Sequence, residues 1–565
     1  MHLQTKRIHG HEYLYAVHNV RVDGRSRKGE QIYLGKLEDL IAERRGLLEP
    51  KSIQTWRFGA PAALWALSEE LGLRAEIDGR CDGASGPGAS IGTYLVLAAI
   101  NRAIDVRSKR GLAKWYRKSC LERLSGVAPE ALTSQAFWTA MDRFPLEAGQ
   151  EVLNAVLPKL LQEAGDSHLV LFDCTNFFTF IASSNGRPQL PRRGHNKAKR
   201  HDLRQVGLAL AATAPSQLPL FYELYAGNQM DVTTFAEVWP RLLGVLDGLG
   251  VKDGATIVYD KGNLSRDNQE MVDTSGASYV TSFAPHLFPD LLAIPLSRFT
   301  AAEGEDLAGF LWYREQRLLW GQQRTMLQSY SPTLAAGQEA GVRQHLAKAE
   351  RLLKELQQKL ERRQQPGARG RKPTRQGIEK DVREALTAQH LRRLVKVSIA
   401  EEQGRFQLDY EIDDEAFEHL KDHLFGRRIW VTDHEDWSAE EILRAAHQQN
   451  DVEACFRDLH GNEPVAWSPA YHWTDQKLAV HAFYMVLGLL LVRLLRLRAR
   501  RAGDDRGTRA LIEDLSEVDE CLLVYPAAGP RGQGRPRLVR KLIDRSPEQQ
   551  RLLEVTGALA LAPSP

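Results

Sequence analysis

Three acidic residues stand where carboxylates can act together on one substrate. Asp173 ends the apolar run LVLFD, and Asp260 ends a second run, TIVYD. Because the carboxyl ends of neighbouring strands in an α/β sheet meet at one surface crevice, we expect both side chains to face it. Glu453 lies in the segment NDVEACFRDLHG, where Val452 and Phe456 have the i, i+4 spacing of a buried helix face. If that helix packs on the sheet, Glu453 lies at the edge of the face.

Two aspartates and a glutamate that converge on one crevice form a set of hard oxygen ligands. Carboxylate oxygens suit Mg²⁺ and also Mn²⁺. Two such ions roughly 3.5–4 Å apart can activate an attacking hydroxyl and stabilise the leaving oxygen in the displacement of a phosphodiester. The structural alternative is that each Asp is only a turn former or a helix cap, and it stays open for each residue alone.

The elements that must position these carboxylates have the pattern of a mixed α/β fold. A helix is expected between the third and fourth of five strand-like runs, at 168–173, 205–213, 218–225, 255–260 and 278–283. The first three runs can form an antiparallel meander. The α/β pattern stops after Phe283 and resumes near GRRIWVTD, so a long insertion interrupts it.

The segments on either side and inside the insertion have patterns of their own. Residues 12–35 are typical of a β-hairpin around the basic loop DGRSRKGE, and residues 60–165 have helical spacing. Inside the insertion, apolar residues from Val342 to Leu360 recur at intervals of 4 and 3. They predict a long helix that pairs either with a helix near 378–395 or with a second copy of the chain.

The charge of the chain is almost balanced but unevenly distributed. Lys and Arg number 75 and Asp and Glu 72, which gives a net charge of +3. Basic residues nevertheless concentrate in four windows, 187–206, 362–380, 493–501 and 531–541. Basic strips on an acidic body are typical of proteins that bind polyanions, although any one strip can equally be a solvated face.

Composition excludes several other classes of protein. Hydrophobic residues make up 43% and charged residues 26%, values that exclude a disordered or collagen-like chain. The N-terminal segment lacks the apolar run of a secretory signal, and the apolar run Leu478–Val492 is better interpreted as a buried helix than as a membrane span. Five scattered cysteines without CxxC spacing indicate a reducing compartment, and we expect a cytoplasmic, nucleoid-associated protein without membrane contact: Cys81, Cys120, Cys174, Cys455 and Cys521.

Several blocks of the sequence resemble one enzyme family and occur in its order. They are YLGKLEDL, SKRGLAKW, LFDCTNFFTF, RRGHNKAKRHDLRQVGLAL, PLFYELYAGNQMDVTTF, VYDKGNLSRDN and VEACFRDLHGNEPVAWSPAYHWTDQKLAVHAFY. The ordered set, between about residues 30 and 492, is similar to the DDE transposases of bacterial insertion sequences. Within them it resembles the insertion-sequence-four superfamily and its mycoplasma-element branch. The resemblance implies a ribonuclease H-like core interrupted after its fifth strand, with Asp173, Asp260 and Glu453 as catalytic residues that bind two Mg²⁺ (or Mn²⁺) ions.

The same resemblance implies a function and a set of partners. A DDE transposase is a metal-dependent endonuclease that cleaves the ends of its transposable element and joins the freed 3′-hydroxyl to target DNA. Its N-terminal domain would bind the terminal inverted repeats, and two protomers would bridge two ends as a homodimer. The alternatives are a decayed or domesticated DNA-binding protein without catalysis, and a metal-dependent nuclease without strand transfer.

The expected regions follow from the patterns and the resemblance together. They are an N-terminal β-hairpin region (1–60), a helical DNA-binding domain (61–165), the first part of the core (166–290), an insertion of helices and strands (291–430), the second part of the core (431–500) and a basic C-terminal tail (501–565). Within the tail, the segment PAAGPRGQGRPR is expected to be flexible.

The basic strip after the first catalytic strand supplies candidate DNA contacts. A loop there reaches beside Asp173, and it carries the expected phosphate-binding residues Arg192, Arg193, Lys197, Lys199 and Arg200. The alternative is a solvated hairpin.

The sequence departs from the family around the glutamate. The family has Tyr seven and Arg four residues before it and Lys seven after it, whereas this chain has Ala446, Gln449 and His460. The Arg and Lys are thought to hold DNA phosphates, and the candidates to substitute for them are His460, Arg457, Arg444 and His447, of which we assign Arg457 and His460 to DNA binding. His460 carries full charge only near or below its reference pKa of about 6.5, which predicts weaker or more pH-sensitive activity.

Some residues have a structural and a functional interpretation. Trp312, Tyr313 and Trp320 either stack on an unpaired base or belong to the core, and the core is favoured. His472 and His481 are expected to be structural, and Asp231 is expected to cap the helix that follows it.

Overall fold

The computed structural model describes residues 1–563 except 23–24, 45–48, 83–87, 166–168, 183, 197, 369–371, 462–464 and 528–534. It is a mixed α/β protein, as expected from the sequence. Lys197 and the first part of the 531–541 window lie outside the described residues.

The N-terminal region is an antiparallel sheet in which the strands pair in chain order. Its elements are β1 His2–Ile8, β2 His11–Val22, β3 Arg25–Lys36 and the helix α1 Leu37–Arg44, and they are followed by β4 Ser52–Arg57. The expected hairpin is the β2–β3 pair. Most of the basic segment DGRSRKGE belongs to β3 rather than to a loop.

A helical region follows, in which α4 is apolar on all sides and buried along almost its whole length. Its helices are α2 Gly59–Glu70, α3 Leu73–Asp78, α4 Ile91–Ile104, α5 Lys109–Tyr116, α6 Leu121–Ser125, α7 Ser134–Arg143 and α8 Ala148–Ala164. A helix that is hydrophobic all round must lie inside a larger core, and α4 packs against the long C-terminal helix described below.

The central sheet begins with the predicted strands. Its elements are β5 Leu169–Thr179, β6 Arg204–Thr213, β7 Pro219–Ala226, α9 Asp231–Gly248, β8 Thr256–Tyr259, α10 Arg266–Thr274 and β9 Ser278–Phe283. They lie in the order β7-β6-β5-β8-β9, in which β5, β8 and β9 are parallel and β6 is antiparallel to both of its neighbours. The predicted meander of the first three strands is therefore present.

The insertion has two parts, one in the main sheet and one with its own core. Its elements are α11 Pro289–Leu292, β10 Thr300–Ala301, β11 Leu311–Leu319, β12 Gln322–Tyr330, α12 Pro332–Arg363, α13 Arg375–Ala385, α14 Leu391–Leu394, β13 Val395–Glu402, β14 Arg405–Ile412 and α15 Asp414–His423. The strands β10–β12 extend the main sheet, while the elements from α12 to α15 enclose a separate hydrophobic cluster. In that cluster the stripe from Val342 to Leu360 is buried with Ile378 and Val382 of α13, so the intrachain pairing is the one observed.

The chain then returns to the central sheet. The strand β15 Arg427–Thr432 lies between β9 and β12 and is antiparallel to both, and it leads into α16 Ala439–His460 and α17 Asp475–Arg501. By length and composition alone α17 is apolar enough to cross a membrane, but 94% of its apolar window is buried inside the protein. It is therefore the core helix that the sequence predicts, packed between α4 and the sheet.

Residues 501–565, expected to form a basic C-terminal tail, are largely folded where the structure describes them, whereas most of PAAGPRGQGRPR, the segment expected to be flexible, lies outside the described residues. They form α18 Thr508–Leu515, β16 Asp519–Ala527, β17 Pro536–Leu542 and α19 Pro547–Val555. The strand β16 pairs with β17 and with β4 near the N-terminus, and Leu511, Leu515, Leu552 and Leu553 are buried. These regions fold because their apolar residues, on either side of the Gly- and Pro-rich segment, complete the core beside α2.

Candidate active site

The register of the central sheet places two aspartates side by side. β5 and β8 pair in parallel with Phe172 opposite Tyr259. The next residues along the two strands are Asp173 and Asp260, so both carboxylates lie at the same level at the carboxyl end of the sheet. Each follows a run of buried apolar residues that fixes the register.

Hydrogen bonds hold both carboxylates in place. Ser282, which follows β9 residue Thr281 at the same level, donates its hydroxyl to Asp260 Oδ1 at 3.0 Å. The backbone N–H of Cys174 donates to Asp173 Oδ1 at 2.8 Å. Both aspartates are half-buried.

The glutamate comes from α16, which packs against the strands that carry the aspartates. A capping box between Ser438 and Glu441 fixes the start of this helix. Val452 and Phe456 are buried, as the sequence predicts, and Glu453 is exposed at the edge of that face and lines the same cleft as the two aspartates.

A fourth carboxylate, Asp231, also lines this cleft. It was expected to cap α9, but Met230 holds the cap position and Asp231 is the first residue of the helix. The Tyr225 hydroxyl donates to Asp231 Oδ1 at 3.5 Å. A Cβ at Gly262 would lie 3.8 Å from Asp231 Oδ2 and 3.9 Å from Asp260 Oδ2, so the two side chains approach the same glycine.

The crowding of these acids changes the protonation of Asp173. Burial, opposed by the hydrogen bond from the Cys174 N–H and reinforced by the charges of Asp260, Glu453 and Asp231, raises the pKa of Asp173 to about 7. Near neutral pH this pKa shift costs stability that a bound cation would recover.

The donor chemistry of the cleft fits a hard divalent cation, since its acids offer only carboxylate oxygens. In the described part of the chain, however, no three His, Cys, Asp or Glu side chains stand close enough together to hold a metal ion. The side chains would have to move toward one another for an ion to bind.

The cleft has a volume of about 1070 Å³, and the insertion forms one of its walls. That wall includes His345 and His390, and α16 contributes Ala446, Gln449 and His460. All three positions at which the chain departs from the transposase motif therefore face the cleft.

Two exposed cationic residues of the cleft were not predicted from the sequence. Lys261 directly follows Asp260, and Arg428 lies on β15; both are exposed and line the cleft. Adjacency to Asp260 was an available signal for Lys261. Arg428 reaches the cleft only because β15 inserts beside β9, which local sequence does not reveal.

The structure separates the two residues expected to replace the family's cations. The His460 imidazole hydrogen-bonds Thr175 Oγ1 at 2.9 Å and stacks on Phe177 at 4.3 Å, and Phe177 in turn stacks on Trp467 at 4.7 Å. Arg457 is exposed one helical turn after Glu453 but lies outside the cleft.

The part of the basic strip that lines the cleft contains a histidine and two uncharged residues rather than its Lys and Arg residues. His195, Asn196 and Ala198 line the cleft. The predicted contacts are exposed outside it: Arg192, Arg193, Lys199 and Arg200. Arg200 forms a surface ion pair with Asp202 at 2.8 Å, and Lys197 is outside the described residues.

Trp312, Tyr313 and Trp320, the aromatic residues that the sequence offered for base stacking, lie away from the cleft. Trp312 and Tyr313 are partly buried against the main core, and the Trp312 indole donates to Glu440 at 3.0 Å. Trp320 is 38% exposed and packs on Phe283 with 5.5 Å between the rings.

His472 and His481 belong to a sealed basic cluster that also contains Lys109 and Tyr484. Lys109 Nζ donates to Tyr484 Oη at 2.8 Å and lies 3.2 Å from His472 Nε2, which is 3.0 Å from His481 Nδ1. His481 Nε2 donates to the Trp467 carbonyl at 3.0 Å. Burial lowers the pKa of both histidines and of Lys109 well below their usual values, and the neighbouring cations lower them further.

Comparisons with known proteins give few matches. No family model matches the chain, and no curated protein does. Among solved structures, it is similar to the piggyBac transposase synaptic complex with hairpin DNA, with a TM-score of 0.37, 7% identity, and coverage of 80% of this chain and 79% of that chain. It is also similar to the Mos1 transposase paired-end complex with the left transposon end, with a TM-score of 0.15, 13% identity, and coverage of 35% of this chain and 61% of that chain.

Proposed function

We propose that the chain is a DDE transposase that cleaves DNA and joins DNA strands at the Asp173, Asp260 and Glu453 carboxylates. The observation that carries this proposal is the sheet register, which sets Asp173 beside Asp260, together with the helix that brings Glu453 to the same cleft. Three carboxylates from separate chain segments meet near the ends of parallel strands, where they can act together on one bound substrate.

The strand arrangement supports a ribonuclease H-like core. The order β7-β6-β5-β8-β9 with β6 antiparallel agrees with such a core interrupted after its fifth strand, β9. The insertion begins after β9, and the chain returns with β15 and α16 to deliver Glu453.

Asp173, Asp260 and Glu453 would hold Mg²⁺ or Mn²⁺, two ions per site. When bound, such ions supply Lewis-acid stabilisation of the attacking and leaving oxygens of a phosphodiester. Asp231 adds a fourth negative charge beside Asp260, which strengthens the attraction of the cleft for cations. Ser282 holds the Asp260 carboxylate in a fixed orientation.

Cations around the carboxylates would hold the DNA backbone. Lys261 and Arg428 line the cleft in which Gln449 replaces the family's Arg, so we assign them the phosphate contacts nearest to the scissile bond. His460, fixed against Phe177, adds a third contact, while the strip from Arg192 to Arg200 and the exposed Arg457 hold DNA farther out.

The remaining parts of the proposal concern the assembly. The N-terminal sheet and the helical region would bind the terminal inverted repeats, and a homodimer would bridge two ends of the element in the bacterial cytoplasm.

One observation favours a second candidate, a DNA-binding protein without catalysis. Ala446 and Gln449 bring no charge to the cleft, and the acids are spaced too widely for one ion among the described residues. A decayed transposase would keep the DNA-binding surface and lose the chemistry.

The test is incubation of the purified protein and Mg²⁺ with labelled DNA that carries the sequences flanking its own gene. A transposase gives cleavage confined to those ends and then joined products. Cleavage without joining indicates a nuclease, and binding without cleavage indicates the decayed protein. Retained cleavage in an alanine variant of Asp173, Asp260 or Glu453 removes that residue from the active site.

A further inference from the structure

An aromatic patch is exposed just beyond the end of β5. Its members are Phe180, Tyr471 and Trp473, which are 42%, 60% and 44% exposed. The rings of Phe180 and Tyr471 are 5.8 Å apart, and Trp473 stacks on the half-buried Trp138 at 5.0 Å and 24°. Single exposed aromatic residues are common on protein surfaces, but a group of them indicates a binding surface.

Backbone and side-chain contacts hold this patch in place. The N–H of Phe180 donates to the Ala470 carbonyl at 2.9 Å, which ties the segment before α17 to the end of β5. The buried Lys477 ammonium lies 5.7 Å over the Trp138 ring and 5.9 Å over the Trp473 ring. Rings that are already ordered lose little conformational entropy when they bind a ligand.

The patch shares its scaffold with the basic strip. Asp475, at the start of α17, accepts hydrogen bonds from the backbone N–H groups of Gln189 at 2.8 Å and Leu190 at 3.0 Å. The Asn185 side chain donates to the Trp473 carbonyl at 3.5 Å, and the Asn185 carbonyl accepts from Arg204 at 2.7 Å. The exposed cations Arg187 and Arg192 flank the tied segment and therefore border the patch, and the rest of the basic strip continues from them along the chain.

We infer that this surface binds an unpaired DNA strand, with bases stacked on Phe180, Tyr471 and Trp473 and with phosphates on the basic strip. The choice of DNA rests on the proposed function. Flat rings beside a cationic track suit a single strand, because every unpaired base offers a face for stacking. The bordering cations favour a polyanion over an apolar protein partner.

The position of the patch relates this strand to the active site. Phe180 follows Asp173 by seven positions, which at about 3.3 Å per strand residue is roughly 23 Å. His195, Asn196 and Ala198 connect the basic strip to the cleft itself. A strand stacked on the patch is thus held several nucleotides from the carboxylates, on a path that the basic loop continues into the cleft.

The experiment measures binding of a labelled oligothymidine strand, and of a duplex of equal length, by fluorescence anisotropy of the full chain. Tyr471→Ala and Phe180→Ala are each expected to weaken single-strand binding about 5- to 150-fold, the range for loss of one base–aromatic stack, and to leave duplex binding within about twofold. Tyr471→Phe is expected to bind the strand like wild type. Trp320→Ala, at a partly exposed aromatic residue outside the patch, is the matched control and is expected to change nothing.

Unchanged single-strand binding by both alanine variants, in proteins whose circular dichroism matches wild type, overturns the inference. An equal loss for strand and duplex does so too, as does an altered oligomeric state with unaltered DNA binding, which would make the patch a contact between chains. These outcomes differ from a failure of the proposed function. In that case the wild type would still bind the single strand through the patch but would cleave no DNA.

Discussion

Two regions of the molecule each gather ionisable groups of one kind, acids in the cleft and bases in the sealed cluster, and their surroundings act on the charges of these groups in different ways. The cleft gathers Asp173, Asp231, Asp260 and Glu453 at its surface, where solvent and cations can reach them. The sealed cluster of Lys109, His472, His481 and Tyr484 lies inside the protein, with His472 and His481 almost completely inaccessible to solvent.

The difference shows what each region is built to do. In the sealed cluster, burial lowers the pKa of both histidines and of the lysine, so that neutral bases form a hydrogen-bonded support between α5 and α17. In the cleft, burial and crowding raise the pKa of Asp173 to about 7, but the other carboxylates remain open to solvent. Neutralisation stabilises the fold in the cluster, whereas the cleft keeps negative charge that can attract metal ions.

The largest expected effect is on DNA cleavage, which should depend on the cleft and not on the sealed cluster. Asp260→Asn removes one carboxylate from the cleft with little change in shape, so we expect single-turnover cleavage of the end DNA to fall roughly 10³-fold or more. Because Asp260 contributes no apolar burial, the melting temperature should change little. His472→Gln, in the sealed cluster, is the counterpart and should leave the single-turnover rate of the folded protein near that of wild type.

If Asp260→Asn cleaves as fast as wild type, or if His472→Gln loses as much activity as Asp260→Asn, then the division between a chemical and a structural region fails.

The next effect concerns the stability of the sealed cluster against acid. The folded pKa values of His472 and His481 lie below the unfolded value of about 6.5, so the unfolded chain binds more protons as the pH falls below 6.5. Stability should therefore be lost on acidification, by up to about 1.4 kcal/mol per pH unit for each histidine. Unfolding by urea between pH 7 and pH 5 measures this loss, and His481→Gln should flatten its slope.

A smaller effect, with the opposite sign, is expected from the cleft. The folded pKa of Asp173 lies above its unfolded value of 3.8, so this group loses stabilising free energy as the pH rises from about 4 to 7. Without divalent ions, Asp173→Asn should be more stable than wild type at pH 8. The gain in the free energy of unfolding over wild type should be larger at pH 8 than at pH 5, by at most about 3 kcal/mol. Added Mg²⁺ should stabilise wild type and erase the advantage, because the ion binds the folded state.

An advantage of Asp173→Asn that is equal at pH 5 and pH 8, or that persists at saturating Mg²⁺, would contradict this assignment. Thermal unfolding in chelator and in Mg²⁺ gives both comparisons.

The smallest effect belongs to the basic strip outside both regions. Arg200 is exposed and pairs with Asp202 at the surface, so Arg200→Ala should leave the melting temperature close to that of wild type. Loss of one phosphate contact should lower the slope of log binding constant against log salt by about 0.9 for duplex DNA. Arg509→Ala, at an exposed arginine paired with Glu513 on α18, is the matched control and should leave the slope unchanged.

Local sequence predicted the parts of the site that local pattern determines. Asp173 and Asp260 each end a short apolar run, and Val452 with Phe456 marks the face beside Glu453, so strand ends and helix faces predicted that these acids meet at one cleft. Their catalytic role stays a prediction. Asp231 was misassigned because an Asp before a helix has the pattern of a cap, and only the folded sheet shows that it faces the other acids.

The errors and omissions in the fold arise from pairings between distant segments. The Gly- and Pro-rich composition near 530 indicated a tail, although β16 pairs with β4 more than 450 positions earlier. Arg428 joined the cleft unforeseen because β15 pairs with β9 across the whole insertion. Hydrophobic periodicity carries no information about such partners, so neither contact could be predicted from one sequence.

Binding of a divalent ion tests the central claim, that the open acidic cleft is a metal-binding catalytic centre, more directly than any activity. Mn²⁺ can be titrated into the wild type and Asp260→Asn in the absence of DNA and followed by electron paramagnetic resonance. We expect the wild type to bind Mn²⁺ in its cleft and Asp260→Asn to bind it much more weakly. Equal binding by both proteins, or none by the wild type, would contradict it.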